Sequence, residues 1–230
     1  VISSLTVPTL GQQLEEVVVT ASKRAENLQD IPQAVTAFSS ERLVELGIVE
    51  TSDLMGAIPN IQVTSAYGRT QPNFSIRGIS VANEFSAATA SPVGVYVDEV
   101  YQSFRASHGQ QLFDLESVEV LRGPQGTLYG RNTTGGAVNV NTVKPSLEEG
   151  MSGFLNVRLG NYSYADFTGA VEATIIPDVL GVRLSGAVSE ADGYVDNTLL
   201  GTDHPQTSST AGRLSVLWRP SDKTNIHAKV

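Results

Sequence analysis

The stretch FDLESVEVLRGPQGTLYGRNTTGGAVNVNTVKP, residues 113–145, decides how this chain folds. It opens with a short apolar run at 118–121, passes through a glycine-rich segment and closes at 137–143, where apolar and polar residues alternate. Alternation with a period of two suits a half-buried strand, and glycine permits positive φ angles or a close approach of two backbones. The stretch therefore predicts a strand, a glycine-rich loop and a second strand.

The residues before and within this stretch predict a compact α+β unit over 26–144. Ser39–Gly47 has a capping serine at its start and a glycine at its end, which indicates a short helix. A second short helix is predicted within Thr51–Pro59, where the proline stops it. Strands are predicted where β-branched and aromatic residues cluster, at Ile31–Phe38, Ile61–Thr64, Phe74–Gly78 and Val93–Val100.

Beyond Pro145 the pattern changes to long strands that are apolar on one face. Apolar and polar residues alternate within 151–159, 163–175, 180–188, 213–219 and 225–230. Most of these runs exceed the length of about 5–6 residues that is usual for strands. Short turns alternate with a longer polar loop at Ala191–Thr210. The arrangement favours an antiparallel transmembrane β-barrel, whose strands need about 9–11 residues, over a soluble β-sandwich.

Five strands cannot close a barrel of this kind, whose strand number is even and at least about eight. The alternation also runs to Val230 without a closing segment. We therefore expect a longer protein with three parts here: a leader at 1–25, the α+β domain at 26–145, and the first strands of an incomplete barrel at 146–230. Val1–Leu10 could be the end of a removed signal peptide or a leader.

The composition excludes several classes of function. The 230 residues carry a formal net charge of −9, which disfavours a nucleic-acid partner, because phosphate binding depends on clustered Lys and Arg. The absence of Cys removes disulfide scaffolds, thiolate zinc sites and cysteine nucleophiles. The 21 glycines and the low aromatic content suit a β-rich protein with many turns.

No pattern of residues indicates catalysis, a metal site or a cofactor. His108, His204 and His227 lack the paired spacing of a metal motif. The aspartates of 192–203 lack the spacing of an EF-hand calcium loop. Gly123–Gly126 lacks the Gly-Lys-Ser/Thr ending that a phosphate-binding loop needs. The sequence therefore predicts a protein that is not an enzyme.

Residues 12–24, QQLEEVVVTASKR, form an extended segment by composition. The β-branched run Val17–Thr20 lies between charged flanks. It could be an edge strand of the following domain. It could instead be a free strand that adds to the sheet edge of another protein, where backbone hydrogen bonds supply the affinity. The residues alone leave both interpretations open.

Four motifs follow one another: EEVVVTASKR at 15–24, FSIRGI at 74–79, VGVYVDEVYQ at 93–102, and VEVLRGPQGTLYGRNTTGGAVNVNTVKP at 118–145. Together they resemble the N-terminal part of a TonB-dependent outer-membrane receptor. The resemblance implies an α+β plug domain seated inside a barrel of about 22 strands, a width that leaves a lumen to be plugged. One departure is Glu99, which stands where the family commonly has glycine, so a different type of turn is expected.

The resemblance also implies a partner. The segment formed by Glu16, Val17, Val18, Val19, Thr20, Ala21 and Ser22 matches the TonB box in position and character. In the family, TonB pairs with this strand in the periplasm and pulls on it. The pull draws on the inner-membrane proton gradient through the energising complex of TonB. The plug then rearranges, and bound ligand passes. This implication favours the interpretation as a free strand.

Plug arginines are a second implied site. Arg77, Arg122 and Arg131 lie beside glycines, and similar receptors pair such arginines with glutamates of the barrel wall. A buried, unpaired guanidinium is costly, so these side chains need partners, of which Glu172 is a candidate on the predicted lumen face. The alternative is solvated arginines or ion pairs within the plug. The motif glycines are expected to let the backbone pack tightly: Gly78, Gly123, Gly126, Gly130, Gly135 and Gly136.

Two functional hypotheses remain. The first is an active transporter in the outer membrane of a Gram-negative bacterium, in contact with outer-membrane lipid. Its small-molecule ligand would most commonly be a ferric siderophore in this family, with vitamin B12, haem or an oligosaccharide as alternatives. The second hypothesis is a β-rich surface protein that binds a ligand without transporting it. The motifs identify the type of machine and leave the ligand open.

Overall fold

The computed structural model describes residues 18–19, 23, 26–27, 31–66, 71–83, 85–86, 89–109, 111–197, 202–204 and 206–230. Two five-stranded sheets dominate this part of the chain. One is built from short strands of the first 145 residues, and the other from the long strands that follow. The α+β unit followed by antiparallel strands, as predicted, is confirmed.

The first part of the chain is made of short elements. In order they are β1 (Val18–Val19), β2 (Glu26–Asn27), β3 (Ala34–Ser39), α1 (Ser40–Glu45), a 3₁₀ turn (Thr51–Asp53), α2 (Leu54–Ala57), β4 (Ile61–Thr64), β5 (Asn73–Ile76), β6 (Val93–Val97), β7 (Val100–Tyr101), a 3₁₀ turn (Arg105–Ser107), β8 (Leu115–Arg122), α3 (Gly126–Tyr129) and β9 (Gly136–Thr142). Within the described residues, none of these helices is long and apolar enough to cross a membrane.

The mixed sheet has the order β3-β8-β9-β6-β7. Strand β8 is antiparallel to β3 and β9, whereas β6 runs parallel to β9. The stretch 113–145 therefore supplies two central strands, as its alternation predicted. The glycine-rich segment between them differs from the predicted plain loop, because it contains the single turn α3. There the N–H of Tyr129 donates to Gln125 O at 2.9 Å, and that of Gly130 to Gly126 O at 3.0 Å.

The main hydrophobic core lies between the mixed sheet and the layer formed by α1, α2 and the β4–β5 hairpin. Burying one such side chain contributes about 1.5–3 kcal/mol. Both predicted helices are present, and α1 is capped by Ser39 Oγ, which accepts the N–H of Arg42. The central core side chains are fully buried or nearly so: Leu54, Phe74, Ile76, Val93, Val95, Val118, Val120 and Val138.

The long-strand sheet follows β9. Its five strands are β10 (Met151–Leu159), β11 (Ala165–Ile176), β12 (Leu180–Ala191), β15 (Thr207–Ser221) and β16 (Thr224–Lys229). A separate hairpin of β13 (Val195–Asn197) and β14 (Thr202–His204) lies between β12 and β15 in the chain. The sheet has the order β10-β11-β12-β15-β16, and each neighbouring pair is antiparallel. The five long strands confirm the alternation pattern.

The predicted polar loop Ala191–Thr210 is wrong in part. Strands β13 and β14 pair within it, and β15 begins at Thr207, where it pairs with Ala191 of β12. The residues at this end of β15 are mostly small and polar, so they show no apolar periodicity. Backbone hydrogen bonds to β12 extend the strand here, and such bonds cannot be recognised from the pattern of apolar and polar residues.

The two faces of the long-strand sheet differ in polarity. Large apolar side chains on one face are exposed, with Leu155 71%, Leu184 55% and Trp218 46% accessible. The opposite face turns toward the mixed sheet and buries polar side chains such as Asp166 and Arg183. A face of exposed leucine and valine is disfavoured in water and suited to lipid.

The β6–β7 turn consists of Asp98 and Glu99, whose φ angles are 45° and 68°. Val97 and Val100 pair directly across it. Positive φ at both central residues is the signature of a type I′ hairpin turn, which usually has glycine at its second position. Glu99 therefore occupies a left-handed conformation that costs an L-residue about 1–2 kcal/mol.

Gly136, the first residue of β9, lies close to the central strand β8. A Cβ built on it would overlap the carbonyl oxygen of Leu121 and lie 2.7 Å from Ile76 Cδ1. A Cβ on Gly126 would meet no heavy atom within 4 Å. The two glycines thus have different roles, although both belong to the same motif.

We expect Gly136→Ala to lower the free energy of unfolding by about 1–3 kcal/mol or more, because the backbone of β8 must move. Gly126→Ala is the matched control, and it should leave stability unchanged or raise it by up to about 1 kcal/mol, since alanine favours a helix. The melting temperatures of the detergent-solubilised proteins report both effects. Equal melting temperatures would contradict the close approach at Gly136.

Candidate functional site

The two sheets are joined by the carboxylate of Asp114, which lies immediately before β8. Arg183 of β12 donates two hydrogen bonds to it, from Nη2 to Oδ1 at 2.5 Å and from Nε to Oδ2 at 3.0 Å. Arg213 of the neighbouring strand β15 donates from Nη2 to Oδ2 at 3.2 Å and to the backbone oxygen of Asp114 at 2.7 Å. The Asp114 side chain is 1% exposed, so a buried carboxylate holds two strands of the long-strand sheet.

The electrostatics of Asp114 follow from these contacts. Burial by itself raises the pKa of the carboxyl, but the hydrogen bonds and charge of Arg183 outweigh burial, and Ser185 and Arg213 add to the effect. The pKa of Asp114 therefore lies below its ordinary value, and the group is ionised at neutral pH.

Arg213 also contacts the residue before Asp114. Its guanidinium carbon lies 4.8 Å from the centre of the Phe113 ring, and its Nη2 donates to Phe113 O at 3.2 Å. Planar guanidinium groups commonly stack on aromatic rings in this way. These contacts fix Arg213 against the start of β8 from two directions.

Glu172 extends the ion pair across the long-strand sheet. It accepts a hydrogen bond from Arg183 Nη1 at 2.8 Å and from Ser152 Oγ at 2.8 Å. The N–H of Ser146, in the segment that leads from β9 to β10, donates to it at 3.4 Å. Glu172 thus supports Arg183 and the connection between the two sheets, and it makes no contact with Arg77, Arg122 or Arg131 among the described ion pairs.

A second ion pair joins the sheets at the β6–β7 turn. Asp98 pairs with Lys229 of β16 and accepts hydrogen bonds from the N–H and Oγ1 of Thr142, each at 2.8 Å. Burial raises the pKa of Asp98, but the hydrogen bonds from Lys229 and Thr142 outweigh it, so the pKa lies below its ordinary value. The turn is therefore tied both to β9 and to the long-strand sheet.

The described residues line two cavities between the first part of the chain and the long-strand sheet. One of about 510 Å³ is lined by Val44 of α1, by Asp114 and by polar residues of β10 and β11 such as Asn156. The other, of about 480 Å³, is lined by Glu50 and Asp53 of the first part of the chain and by three tyrosines, Tyr162, Tyr164 and Tyr194. Aromatic rings can stack on a flat ligand, and carboxylates can accept its hydrogen bonds.

The predicted plug arginines lie elsewhere. Arg77 and Arg131 are exposed, and Arg122 is half-buried. Within the described part of the chain none of the three forms an ion pair. Their pairing with glutamates of the barrel wall stays a prediction. The contacts observed have the opposite polarity, because the mixed-sheet side supplies carboxylates and the long strands supply the cations.

Sequence reasoning did not identify five residues as contacts between the sheets: Asp98, Asp114, Arg183, Arg213 and Lys229. The alternation did place Arg183 and Arg213 on the polar face of their strands. That signal could have identified them as lumen-facing cations. Their partners follow Phe113 and Val97 in the chain, and no local pattern marks either aspartate as buried.

The motif glycines differ in their surroundings. A Cβ on Gly135 would lie 3.2–3.3 Å from Ile79 and Val93, and one on Gly123 would lie 3.5 Å from Arg77 Nη1. Gly78, Gly126 and Gly130 face open space. Tight packing thus applies to Gly135 and Gly136, at the start of β9.

The predicted TonB-box segment is described only in part. Val18 and Val19 form β1, which pairs antiparallel with Glu26–Asn27. Glu16, Val17, Thr20, Ala21 and Ser22 lie outside the described residues. Lys23 follows the segment, and its Nζ lies 5.5 Å from the centre of the Tyr129 ring. The backbone of 18–19 is extended, as strand addition requires.

Comparison with known proteins gives a consistent picture. Residues 27–137 match the family model described as TonB-dependent Receptor Plug Domain. The pesticin receptor of Yersinia pestis is 34% identical over 138 residues, which are 60% of this chain and 20% of that protein. The vitamin B12 transporter BtuB of Vibrio vulnificus is 27% identical over 184 residues, 80% of this chain and 29% of that protein.

Solved structures agree with the sequence relatives. The ferric yersiniabactin uptake receptor FyuA from Yersinia pestis superposes with a TM-score of 0.76 at 26% identity, over 86% of this chain and 31% of that chain. This chain therefore spans less than a third of the receptor's length and, at 20% coverage, a fifth of the pesticin receptor.

Acid should weaken the contact at Asp114. Because its pKa is lowered in the folded protein, its contribution to stability is complete above the ordinary carboxyl value of about 3.9 and is lost as pH falls through the folded pKa. At pH 7, Asp114→Asn should cost about 3–5 kcal/mol, because Arg183 and Arg213 lose their buried partner. Asp222→Asn, in the exposed β15–β16 turn, should cost nothing measurable.

Melting temperatures recorded between pH 7 and pH 3 provide the measurement. The gap between the native protein and Asp114→Asn should stay constant at neutral pH and narrow below about pH 4. Two curves that remain parallel down to pH 3 would show that Asp114 is not the titrating group.

Proposed function

Residues 27–137 of this chain belong to the plug-domain family of TonB-dependent receptors, and from this premise we propose that the chain is part of an active transporter in the outer membrane. The observation that carries the proposal is the seating of the plug. Asp98 and Asp114 of the plug pair with Lys229, Arg183 and Arg213 on the polar face of long antiparallel strands. A domain held by ion pairs against a wall can close a lumen and can be released.

The transported ligand is a ferric siderophore in this proposal. Two similar proteins support this choice of ligand. The pesticin receptor is similar in sequence, and the ferric yersiniabactin uptake receptor is similar in structure. Similarity to a vitamin B12 transporter keeps a cobalamin as the second candidate. The tyrosine-lined cavity of about 480 Å³ is the proposed place of first contact, since it offers rings for stacking and carboxylates as acceptors.

The driving partner is TonB with its energising complex. Strand addition needs an extended segment with free backbone groups, and Val18–Val19 is extended. The strand Glu26–Asn27 occupies one edge of it, so TonB would take the other edge or displace this short partner. Pulling on 16–22 transmits force to the plug through β3, an edge strand of the mixed sheet.

Deleting Glu16–Ser22 in the full receptor should abolish energised uptake of iron from siderophores and leave ligand binding at the cell surface intact. Val18→Pro should have the same effect, because proline removes a backbone donor from the strand. Val18→Thr, which keeps the donor and suits a strand, is the control and should transport normally. Uptake and surface binding are measured with radiolabelled iron. Unchanged uptake after the deletion would remove TonB from the proposal.

The apolar face of the long strands is proposed to contact outer-membrane lipid. Leu155→Lys places a charge on this face and should cost about 2–4 kcal/mol of stability in the membrane. Asn156→Lys, the next residue, points to the cavity of about 510 Å³ and should be tolerated. Urea unfolding curves of the native protein and of both variants in lipid vesicles measure the two changes in stability. Equal costs at 155 and 156 would argue against the lipid face.

A further inference from the structure

The wall face of the long-strand sheet carries more positive than negative charge. Its described ion pairs contain the cations Arg158, Arg183, Arg213 and Lys229, and the wall carboxylates Asp166 and Glu172. The remaining two negative charges come from the plug, as Asp98 and Asp114. Within the described ion pairs the charges therefore balance only when Asp98 and Asp114 are in place, and without them two cations of the long strands would exceed the carboxylates.

The strongest of these plug contacts is a built binding site for a carboxylate. Arg183 approaches Asp114 with its Nε and Nη2 edge, the fork geometry that guanidinium groups use for carboxylates. Arg213 contacts the same carboxylate from the next strand, and the Ser185 side chain hydrogen-bonds to it. Arg183 and Arg213 are 8% and 13% exposed, so the site is almost closed to water.

All three groups that surround this carboxylate belong to the wall. Arg183 and Ser185 lie two residues apart on β12, and Ser185 is register-paired with Arg213 on β15. Backbone pairing of two long strands holds the three side chains together whatever the plug does. We call this set, Arg183, Ser185 and Arg213, the arginine cradle. Its occupant, in contrast, comes from the segment before β8 and leaves with the plug.

An empty cradle is energetically unfavourable. Without Asp114, Arg183 would keep only Glu172 as its partner, and Arg213 would have no carboxylate partner among the described ion pairs. The two guanidinium groups on neighbouring strands would also repel one another. Even with Asp114 in place, Arg213 Nε is buried without an acceptor among the described residues, so the cradle has donor capacity beyond what Asp114 uses. A small anion that enters would be bound by the same donors.

We propose that the arginine cradle is an anion-binding site of the barrel wall, which the Asp114 carboxylate occupies in the closed state and which a carboxylate-bearing solute occupies once Asp114 leaves. Within the transport function proposed above, that solute is an anionic ligand on its way past the plug. The part that concerns transport rests on the proposed function, whereas binding of an anion to the cradle does not.

Chemical rescue tests the cradle directly. The variant Asp114→Ala of the full receptor, purified in detergent, removes the resident carboxylate and leaves space for a small one. Formate should restore its lost thermal stability, with the folding equilibrium favoured roughly tenfold at a formate concentration about ten times the dissociation constant. The native receptor, whose cradle is filled, is measured in the same formate solutions. Any change in its stability reports screening by salt and is subtracted.

Two matched variants identify the place of rescue. Asp114→Ala combined with Arg213→Met should lose the response to formate. Asp98→Ala exposes the single ammonium of Lys229 in place of a fork, and it should respond less than Asp114→Ala. The absence of a formate response in Asp114→Ala, or an equal response after Arg213→Met, would overturn the proposal.

A second measurement remains decisive if Asp114→Ala is too unstable for thermal scans. The carbon resonance of ¹³C-labelled formate, recorded well below the melting temperature, should broaden with Asp114→Ser, whose shorter and uncharged side chain leaves space for the anion. It should stay sharp with the native receptor. Sharp lines in both samples would reject the site. Because the experiment requires neither TonB nor a siderophore, its failure would leave the transport proposal to be decided by uptake alone.

Discussion

A buried carboxylate needs cationic partners, and in this protein that need joins two parts of the chain. Asp114 lies at the start of a central plug strand, and its partners Arg183 and Arg213 lie on neighbouring wall strands. Removing one side of such a pair leaves an uncompensated buried charge. The plug therefore has a defined position against the wall, and that position depends on charge.

The mixed sheet gives Asp114 a fixed support. Strands β8 and β9 lie between β3 and β6, and their apolar side chains form the centre of the core. Gly136 allows β9 to approach β8 so closely that a larger residue would overlap Leu121. The centre of the core and the ion pairs of Asp114 thus belong to one segment, residues 113–145. The edge strand β3 and the N-terminal segment, on which TonB is proposed to pull, lie outside this anchored segment.

The polarity of the interface links the observed contacts to the proposed transport. Carboxylates of the first domain cover cations of the long strands, so in the proposed mechanism the same surface would attract anions once that domain moves. The pairing of plug arginines with wall glutamates, which the family resemblance implies, stays a prediction beside these contacts. The exposed positions of Arg77 and Arg131 leave them free to meet other surfaces, whereas Glu172 supports Arg183 within the wall itself.

Alternation and turn residues are local signals, and they were enough to predict the α+β unit, the long strands and the polar face on which Arg183 and Arg213 lie. The four motifs added the resemblance to a plug domain. The sequence also marked the glycine motif, without showing which glycines are closely packed. The contacts of Asp114 with Arg183 and Arg213 could not be predicted in this way, since they join residues 69 and 99 positions apart. An aspartate before a strand looks solvated in any local pattern, and its burial depends on which surface folds over it.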